Sequence, residues 1–190
     1  MLSQIASFLV DVVVGFFVYL LLARFLFQWL RVPFRNALGE FIIAVSNWIV
    51  LPARRVIPSL AGLDLASLLL AWVLQALLIF VLYLIAGLNF SAAPEAAVGT
   101  IACLAIVDLV RFCVYILVFA LIVQAVLSWV NPYSPIGPLV DAITRPFLRP
   151  IRQFVPPLGN VDLSLLVLIV LLQVLLIPLA HLRTMVGGWF

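Results

Sequence analysis

Residues 100–130 read TIACLAIVDLVRFCVYILVFALIVQAVLSWV, an apolar run that only Asp108 and Arg111 interrupt with charge. A membrane-spanning helix needs about 20 mostly apolar residues, so this run is long enough to cross a bilayer. Three further runs meet the same requirement, and they cover roughly residues 8–30, 65–88 and 163–179. The sequence therefore predicts an all-α protein with four transmembrane helices.

The composition of the whole chain agrees with membrane insertion. Of its 190 residues, 67% are hydrophobic and 9% are charged, whereas soluble domains carry about 25% charged residues. These proportions exclude a soluble globular domain, a disordered chain and a nucleic-acid-binding domain. The net charge of +3 comes from arginine, since the chain has no lysine, and scattered arginines are typical of topology signals. Cys103 and Cys113 lie about 15 Å apart on one predicted helix, too far for a disulfide.

Arginine also distinguishes the segments between the predicted spans. Residues 31–62 and 131–160 contain most of the arginines, while residues 89–99 contain none. Arginine-rich loops tend to stay in the cytoplasm. We therefore expect a multi-pass protein with both long segments in the cytoplasm and both termini on the other side. The first span has no basic segment before it and is too long for a cleaved signal peptide.

Each long segment contains a stretch with one polar and one apolar face at helical spacing. Both stretches are expected to be too short to span, so we predict that they lie in the plane of the interface or dip part-way into the membrane. Pro146 and Pro150 lack a backbone donor and are expected to break or bend the second stretch. The polar faces consist of Asn36, Glu40, Asn47 and Arg54 in the first stretch, and of Asp141, Thr144, Arg145, Arg149 and Arg152 in the second.

The chain also repeats itself. Trp29 and Trp129 each end a long apolar run, and beyond them equivalent residues recur at an offset of 98. We therefore expect two copies of one unit, residues 1–98 and residues 99–190, each with two spans. Copies with an even number of spans share one orientation, so an axis along the membrane normal would relate them. The matched residues are Pro52-Ala53-Arg54 with Pro150-Ile151-Arg152, Asp64 with Asp162, and Gln75 with Gln173.

Two stretches of the second copy resemble a known family. Ser128-Trp129-Val130-Asn131-Pro132 and residues 148–164 (LRPIRQFVPPLGNVDLS) resemble the repeat of the YggT (YlmG) family. The first copy departs from the pattern, because Arg31-Val32-Pro33 stands where Asn131-Pro132 would be expected. The resemblance implies an accessory protein of the bacterial inner membrane with no established reaction. It also implies links to cell division, envelope organisation or osmotic stress and, through plastid relatives, to nucleoid distribution or to haem attachment to cytochrome b6.

The most repeated charged motif pairs Arg54 with Asp64 and Arg152 with Asp162. Each aspartate directly precedes an apolar span, so it can cap that helix and suit the positive end of the helix dipole. The arginine ten residues earlier would then fasten the preceding segment to this cap. The alternative is a site at the cytoplasmic face for a protein partner or an anionic lipid head group, to which Arg149 would contribute.

Polar residues inside the predicted spans are the second set of candidates, because polar groups are costly in lipid. Gln75 and Gln173 are expected near the midplane. They would hydrogen-bond to each other or to a neighbouring helix, or form a polar site that passes an ion. Asp11 and Arg111 are expected near the outer interface, with Arg111 paired either to Asp11 or to Asp108. We expect no charged residue to continue inward from that level.

The remaining candidates fit roles at the membrane boundary. Trp29 and Trp129 match the aromatic belt on the cytoplasmic side, and Arg24 is expected to extend toward the cytoplasm. His181 is the one histidine, which argues against haem ligation or a metal site. The sequence contains no catalytic constellation and no cofactor-binding or metal-binding motif.

Three functional hypotheses follow from these observations. The first is a non-enzymatic accessory or scaffolding protein that contacts anionic head groups at the cytoplasmic face and an unidentified membrane or cytoplasmic protein, with no nucleic acid as partner. The second is a small channel or transport component that is linked to osmotic or ion homeostasis and forms a homo-oligomer. The third is a cofactor (haem) assembly factor, which rests on the plastid relatives alone.

Overall fold

The computed structural model describes residues 1–57, 63–87, 94–131, 134–155 and 162–188, apart from the side chains of Val56 and Trp129. The fold is all-helical, and both halves of the chain have the same order of a long apolar helix, an amphipathic helix and a second apolar helix. The helices are α1 (Leu2–Trp29), α2 (Ala37–Val56), α3 (Leu65–Ile85), α4 (Pro94–Val130), α5 (Gly137–Arg152) and α6 (Leu163–Gly187).

The contacts between helices show which ends of the bundle coincide. α1 packs against α3 and α4 packs against α6, while α1 and α3 contact α4 between the two halves. The Tyr19 and Phe112 rings lie 4.7 Å apart, and farther along both helices Phe27 and Leu121 share one buried cluster. α1 and α4 therefore run in the same direction. Their last residues lie at one end of the bundle, and α2 and α5, which follow them, lie there too.

Four helices are apolar around most of their circumference. α1, α3, α4 and α6 bury one face inside the bundle but also expose large hydrophobic side chains, such as Phe8, Leu77, Phe119 and Val174. A helix that is apolar on every side is suited to lipid surroundings, where its backbone groups are satisfied within the helix. The exposed face of these helices is therefore the surface that acyl chains would contact.

α2 begins at a tight turn that the local sequence determines. Arg31 has a positive φ of 54°, and the Asn36 side chain caps α2 by accepting a hydrogen bond from the Gly39 backbone N–H at 2.8 Å. A Cβ on Gly39 would lie 2.5 Å from the Phe34 carbonyl oxygen. This close approach of two backbone segments leaves room only for glycine.

Among the described residues, five helices could cross a membrane by length and composition, one more than the sequence predicts. The additional helix is α2. Its residues Ala37–Arg55 have a mean hydropathy of 1.2, against values from 2.5 to 2.9 for the other four helices. The sequence predicts that this segment is too short to span. That expectation is wrong, because one helix of 20 residues continues through Pro52 to Val56 and is long enough to cross a membrane.

The prolines of α5 do not interrupt it as predicted. Pro146 and Pro150 both lie inside the continuous helix Gly137–Arg152, so the expected break is absent. Both prolines are exposed, and the carbonyl groups that lose an N–H partner can bond to water or to lipid head groups instead. α4 and α6 are longer than predicted, since α4 begins at Pro94 and α6 continues to Gly187, whereas α3 ends at Ile85, before the predicted residue 88.

Candidate functional site

The carboxylate of Asp64 is the centre of a polar cluster that joins α2 to α3. Its oxygens accept hydrogen bonds from the Ser67 backbone N–H at 3.4 Å and from the Ser67 hydroxyl at 2.7 Å, which caps α3. Arg54 from the last turn of α2 donates to both oxygens, from Nη2 at 2.5 Å and from Nε at 3.2 Å. Such two-pronged contacts are the strongest that arginine makes with a carboxylate. The Asp64 side chain is 1% exposed.

Arg24 adds α1 to the same cluster. Its Nε lies 3.3 Å from Asp64 Oδ2, and its Nη1 donates to Ser46 Oγ at 2.6 Å and to Asn47 Oδ1 at 2.9 Å. The residue is 5% exposed, so the expectation that Arg24 extends to the cytoplasm is wrong. A buried guanidinium needs an anion and several acceptors, and three side chains supply them here. We call the cluster of Arg24, Ser46, Asn47, Arg54, Asp64 and Ser67 the first elbow.

The second half of the chain builds an equivalent cluster with less charge. Arg152 donates to Asp162 Oδ2 from Nη2 at 2.7 Å and from Nε at 3.0 Å. Asp162 caps α6 by accepting from the Ser164 backbone N–H at 3.0 Å and from the Ser164 hydroxyl. Gln124 stands where the first half has Arg24; it accepts a hydrogen bond from Thr144 Oγ1 at 2.5 Å and donates to Asp141 Oδ1 at 3.4 Å. We call the cluster of Arg152, Asp162 and Ser164 the second elbow.

Both elbow carboxylates are held in the ionised form. Burial acts to raise the pKa of Asp64, but the hydrogen bonds from Arg54 and Ser67 and the charge of Arg54 outweigh it, so the pKa lies below its ordinary value. The pKa of Asp162 is lowered in the same way: burial opposes the shift, and Ser164 and Arg152 produce it. The two elbows are therefore ion-paired at neutral pH.

Other arginines at this end of the bundle point outward. Arg55 and Arg149 are exposed, and neither makes an ion pair within the described parts of the chain. Arg145 lies 3.5 Å from Asp141 in an exposed pair one helical turn apart, which contributes little stability. The exposed arginines here are Arg31, Arg35, Arg54, Arg55, Arg145, Arg149 and Arg152.

A second polar cluster lies farther from the elbows, around Asp108 on α4. Asp108 is 3% exposed, and its carboxylate accepts from Arg183 Nε at 2.7 Å, from Gln75 Nε2 at 3.1 Å and from Arg111 Nη1 at 3.4 Å. We call these four residues the distal cluster. Arg111 Nη2 also contacts the Tyr115 hydroxyl at 3.2 Å. Of the two partners predicted for Arg111, Asp108 is confirmed by this contact.

The distal cluster brings together residues that were predicted at different depths. Gln75, predicted near the midplane, donates to Asp108, which lies three residues before Arg111, a residue predicted near the outer interface. Distances counted along a helix give depth only when helices stand upright, and α4, at 37 residues, is longer than a bilayer requires. Of the two partners predicted for Gln75, a neighbouring helix is confirmed by the bond to Asp108 on α4, whereas the pairing with Gln173 is wrong, because Gln173 lies on the exposed face of α6.

The remaining candidates have simpler surroundings. Trp29 is exposed at the end of α1, where its ring stacks on Phe25 at 6.4 Å, while the Trp129 side chain lies outside the described residues. His181 is exposed on α6. The part of the chain that the structure describes contains no group of three metal-ligating His, Cys, Asp or Glu side chains.

Comparison with known proteins shows which family this sequence matches. The sequence profile described as CCB3/YggT matches residues 3–85 and 103–183. The chain belongs to the CCB3/YggT family. The resemblance of residues 128–132 and 148–164 to this family is thus confirmed, and each matched segment contains one complete elbow.

Several proteins are similar to this CCB3/YggT chain over nearly their full length. A protein encoded in the proC 3′ region of Vibrio alginolyticus is 34% identical over 171 residues, which cover 88% of this chain and 89% of the relative. YggT of Escherichia coli K12 is 32% identical over 183 residues, covering 96% and 93%. PA0392 of Pseudomonas aeruginosa is 32% identical over 165 residues, covering 86% and 82%. None of these names states an activity, and no solved structure matches the chain.

Proposed function

We propose that this CCB3/YggT chain is a non-enzymatic accessory or scaffolding protein of the bacterial inner membrane that acts in envelope organisation or cell division. The observation that carries the proposal is the pair of ion-paired elbows at one end of the bundle, each surrounded by exposed arginines. In this proposal the chain is two tandem units, residues 1–98 and 99–190, and the elbows face the cytoplasm.

The path of α2 supports four spans rather than five. α2 starts eight residues after Trp29, the last residue of α1, and its last turn binds Asp64 through Arg54. Asp64 in turn contacts Arg24, which lies five residues before Trp29. A 20-residue helix is about 30 Å long, yet both ends of α2 come back to the same end of α1. These contacts support an α2 that crosses the end of the bundle as an interfacial helix does, with Trp48 reaching along α1 to the Phe17 ring at 6.0 Å.

The exposed arginines supply the binding surface of the proposed scaffold. Each basic residue near an anionic leaflet contributes about 1 kcal/mol of attraction, and guanidinium groups also bind carboxylates and phosphates in two-pronged fashion. The internal ion pairs keep the elbows rigid, since Arg54 and Arg152 are engaged with their aspartates. Arg55 and Arg149 have no such partner within the described residues, which leaves them available for lipid head groups and for a protein partner.

In-cell photocrosslinking tests the protein partner. A photoreactive amino acid at position 55 or 149 should give adducts with one or a few specific proteins. The same amino acid at Gln4, which is exposed at the opposite end of α1, is the matched control and should not give those adducts. The double variant Arg55→Ala with Arg149→Ala should lose the partner in a pull-down while it stays in the membrane. Adducts that are the same at all three positions would contradict the proposal.

A small channel or transport component is the second candidate, and the observation in its favour is the buried distal cluster. Its original basis, two equivalent midplane glutamines, is weakened because only Gln75 is buried while Gln173 is exposed. Ion flux into liposomes that contain the purified protein tests this alternative, and the test includes Gln75→Leu. Flux that is absent, or that Gln75→Leu leaves unchanged, would exclude it. An absorbance spectrum of the purified protein tests the weaker haem-assembly hypothesis.

A further inference from the structure

A polar cavity and an apolar groove adjoin at the distal cluster. The cavity has a volume of about 430 Å³ and is lined by Asp11 together with the four residues of the cluster. The groove has a volume of about 850 Å³, within the range of small-molecule sites, and its lining between α1, α2, α4 and α5 is almost wholly apolar. Phe16 and Tyr19 line both spaces. A ligand with a polar head and an apolar tail could therefore occupy both.

The polar groups that remain unsatisfied in the cavity define the head. Asp108 already accepts from three donors. Gln75 is 3% exposed, and its Oε1 has no hydrogen-bond partner; the same holds for the buried Nε of Arg111. Asp11 lies on the cavity wall without an ion pair among the described residues. The cavity therefore offers the Asp11 carboxylate, the Gln75 amide oxygen, the Nε–H of Arg111 and the Nη groups of Arg183, for which the described residues provide no acceptor.

We infer that this cavity and groove bind a glycerophospholipid with a phosphoethanolamine head group. The ammonium of such a head donates several N–H bonds, which Asp11 and the free oxygen of Gln75 can accept. Its phosphate accepts the unused N–H of Arg111 in a charge-assisted hydrogen bond. A choline head has no N–H to donate, and a glycerol head has no positive charge for Asp11. A choline head would therefore leave the buried Gln75 oxygen unpaired, which is costly, and a glycerol head would leave the exposed Asp11 carboxylate without a cation.

The cavity lies farther from the elbows than the groove does. Gln75 lies 11 residues after the elbow residue Asp64, about 16 Å along α3, and Asp11 lies 13 residues before Arg24, about 20 Å along α1. The groove runs from Phe16 and Tyr19 between α1 and α4 to α2 and α5, at the elbow end of the bundle. A bound lipid would therefore place its head in the cavity and its tails toward the elbows.

Native mass spectrometry of the purified full-length chain tests this inference. Dioleoylphosphatidylethanolamine, dioleoylphosphatidylglycerol and dioleoylphosphatidylcholine share the same tails, so differences report the head alone. We expect the ethanolamine lipid to bind about tenfold more tightly than either other lipid, as one charge-assisted hydrogen bond implies. Equal binding of the three lipids would overturn the inference. A dimer that binds none of the three lipids, because a second copy of the chain fills the groove, would overturn it too.

Variants assign the two charged contacts. Asp11→Asn should reduce binding of the ethanolamine lipid to the level of the glycerol lipid and leave the glycerol lipid unchanged. Arg111→Gln should weaken all three lipids. Glu95→Gln is the matched control, because Glu95 is an exposed carboxylate at the start of α4 and outside the cavity lining; it should bind as the original chain does. An Asp11→Asn variant that keeps the preference would contradict the assignment.

A steric variant keeps the test valid if Arg111→Gln does not fold. Gly15 lines the cavity, and a Cβ there meets no atom within 4 Å. Gly15→Leu should therefore fill the cavity without strain and lower ethanolamine-lipid binding at least tenfold, with every charged group retained. Binding that Gly15→Leu leaves unchanged would place the lipid elsewhere and overturn the inference.

Discussion

Asp64 and Asp162 occupy equivalent positions but differ in burial and in the number of arginines that they contact. Asp64 is 1% exposed and lies against two arginines, whereas Asp162 is 22% exposed and pairs with one. Removing one partner from a buried ion pair costs about 3–5 kcal/mol because the other charge stays buried. We therefore expect Asp64→Asn to lower the free energy of unfolding by about this amount. Asp162→Asn should lower it by only about 1 kcal/mol, because asparagine keeps the helix cap and the lost ion pair with Arg152 is partly exposed.

Thermal unfolding of the two variants in the same detergent measures this difference. Each variant serves as the control for the other, because both remove one carboxylate and one salt bridge with an arginine ten residues away, while asparagine keeps the helix cap. Equal losses of stability would contradict this prediction, because they would mean that Asp64 does not stabilise the buried charge of Arg24.

The same two carboxylates predict a dependence of stability on pH. Their pKa values in the folded chain lie below the ordinary value, so the unfolded chain binds protons first on acidification. The stabilisation is complete above the unfolded pKa of about 3.9, and it is lost as pH falls through the lower folded pKa. The temperature at the midpoint of thermal unfolding should therefore decrease as the pH is lowered below about 4. Asp64→Asn should show a flatter pH profile, and a profile identical to that of the original chain would contradict the assignment.

At the scale of helices, the start of α2 is the element most sensitive to one methyl group. Gly39→Ala would place a Cβ 2.5 Å from the Phe34 carbonyl oxygen, and overpacking of this kind costs about 1–3 kcal/mol. We expect a lower unfolding temperature and faster hydrogen exchange in the first turns of α2. Gly15→Ala is the matched control in α1, where a Cβ meets nothing within 4 Å; it should be neutral or stabilising, since alanine favours a helix. Equal effects of both changes would contradict this prediction, because they would mean that the turn before α2 shifts to admit the methyl group without a loss of stability.

The helices also show what sequence alone can predict. The four apolar helices, the aspartate caps and the Arg–Asp pairs follow from patterns within about 20 residues, and these were predictable. The length of α2 and the continuity of α5 through Pro146 and Pro150 were not, because the cost of a proline depends on whether its face is solvated. The contact of Arg183 with Asp108, 75 residues apart, was not predictable either. It depends on how α4 and α6 pack, which no local pattern encodes.

At the scale of the whole molecule, the number of spans fixes which residues share a side of the membrane. With four spans, Arg35 before α2 and Arg55 at its end face the same side as Arg149. If α2 crossed the bilayer, Arg35 and Arg55 would face opposite sides. Both residues are exposed, so single cysteines at these positions can report the difference once Cys103 and Cys113 are replaced by alanine.

Labelling of spheroplasts with a membrane-impermeant maleimide separates the two topologies. We expect cysteines at positions 35, 55 and 149 to remain unlabelled until the membrane is opened, because arginine-rich segments stay in the cytoplasm. A cysteine at Gln4, exposed near the start of α1, should be labelled in intact spheroplasts and shows that the reagent works. Labelling at only one of positions 35 and 55 would establish α2 as a fifth span. Labelling at all three arginine positions would place the elbows outside, where they could not bind a cytoplasmic partner.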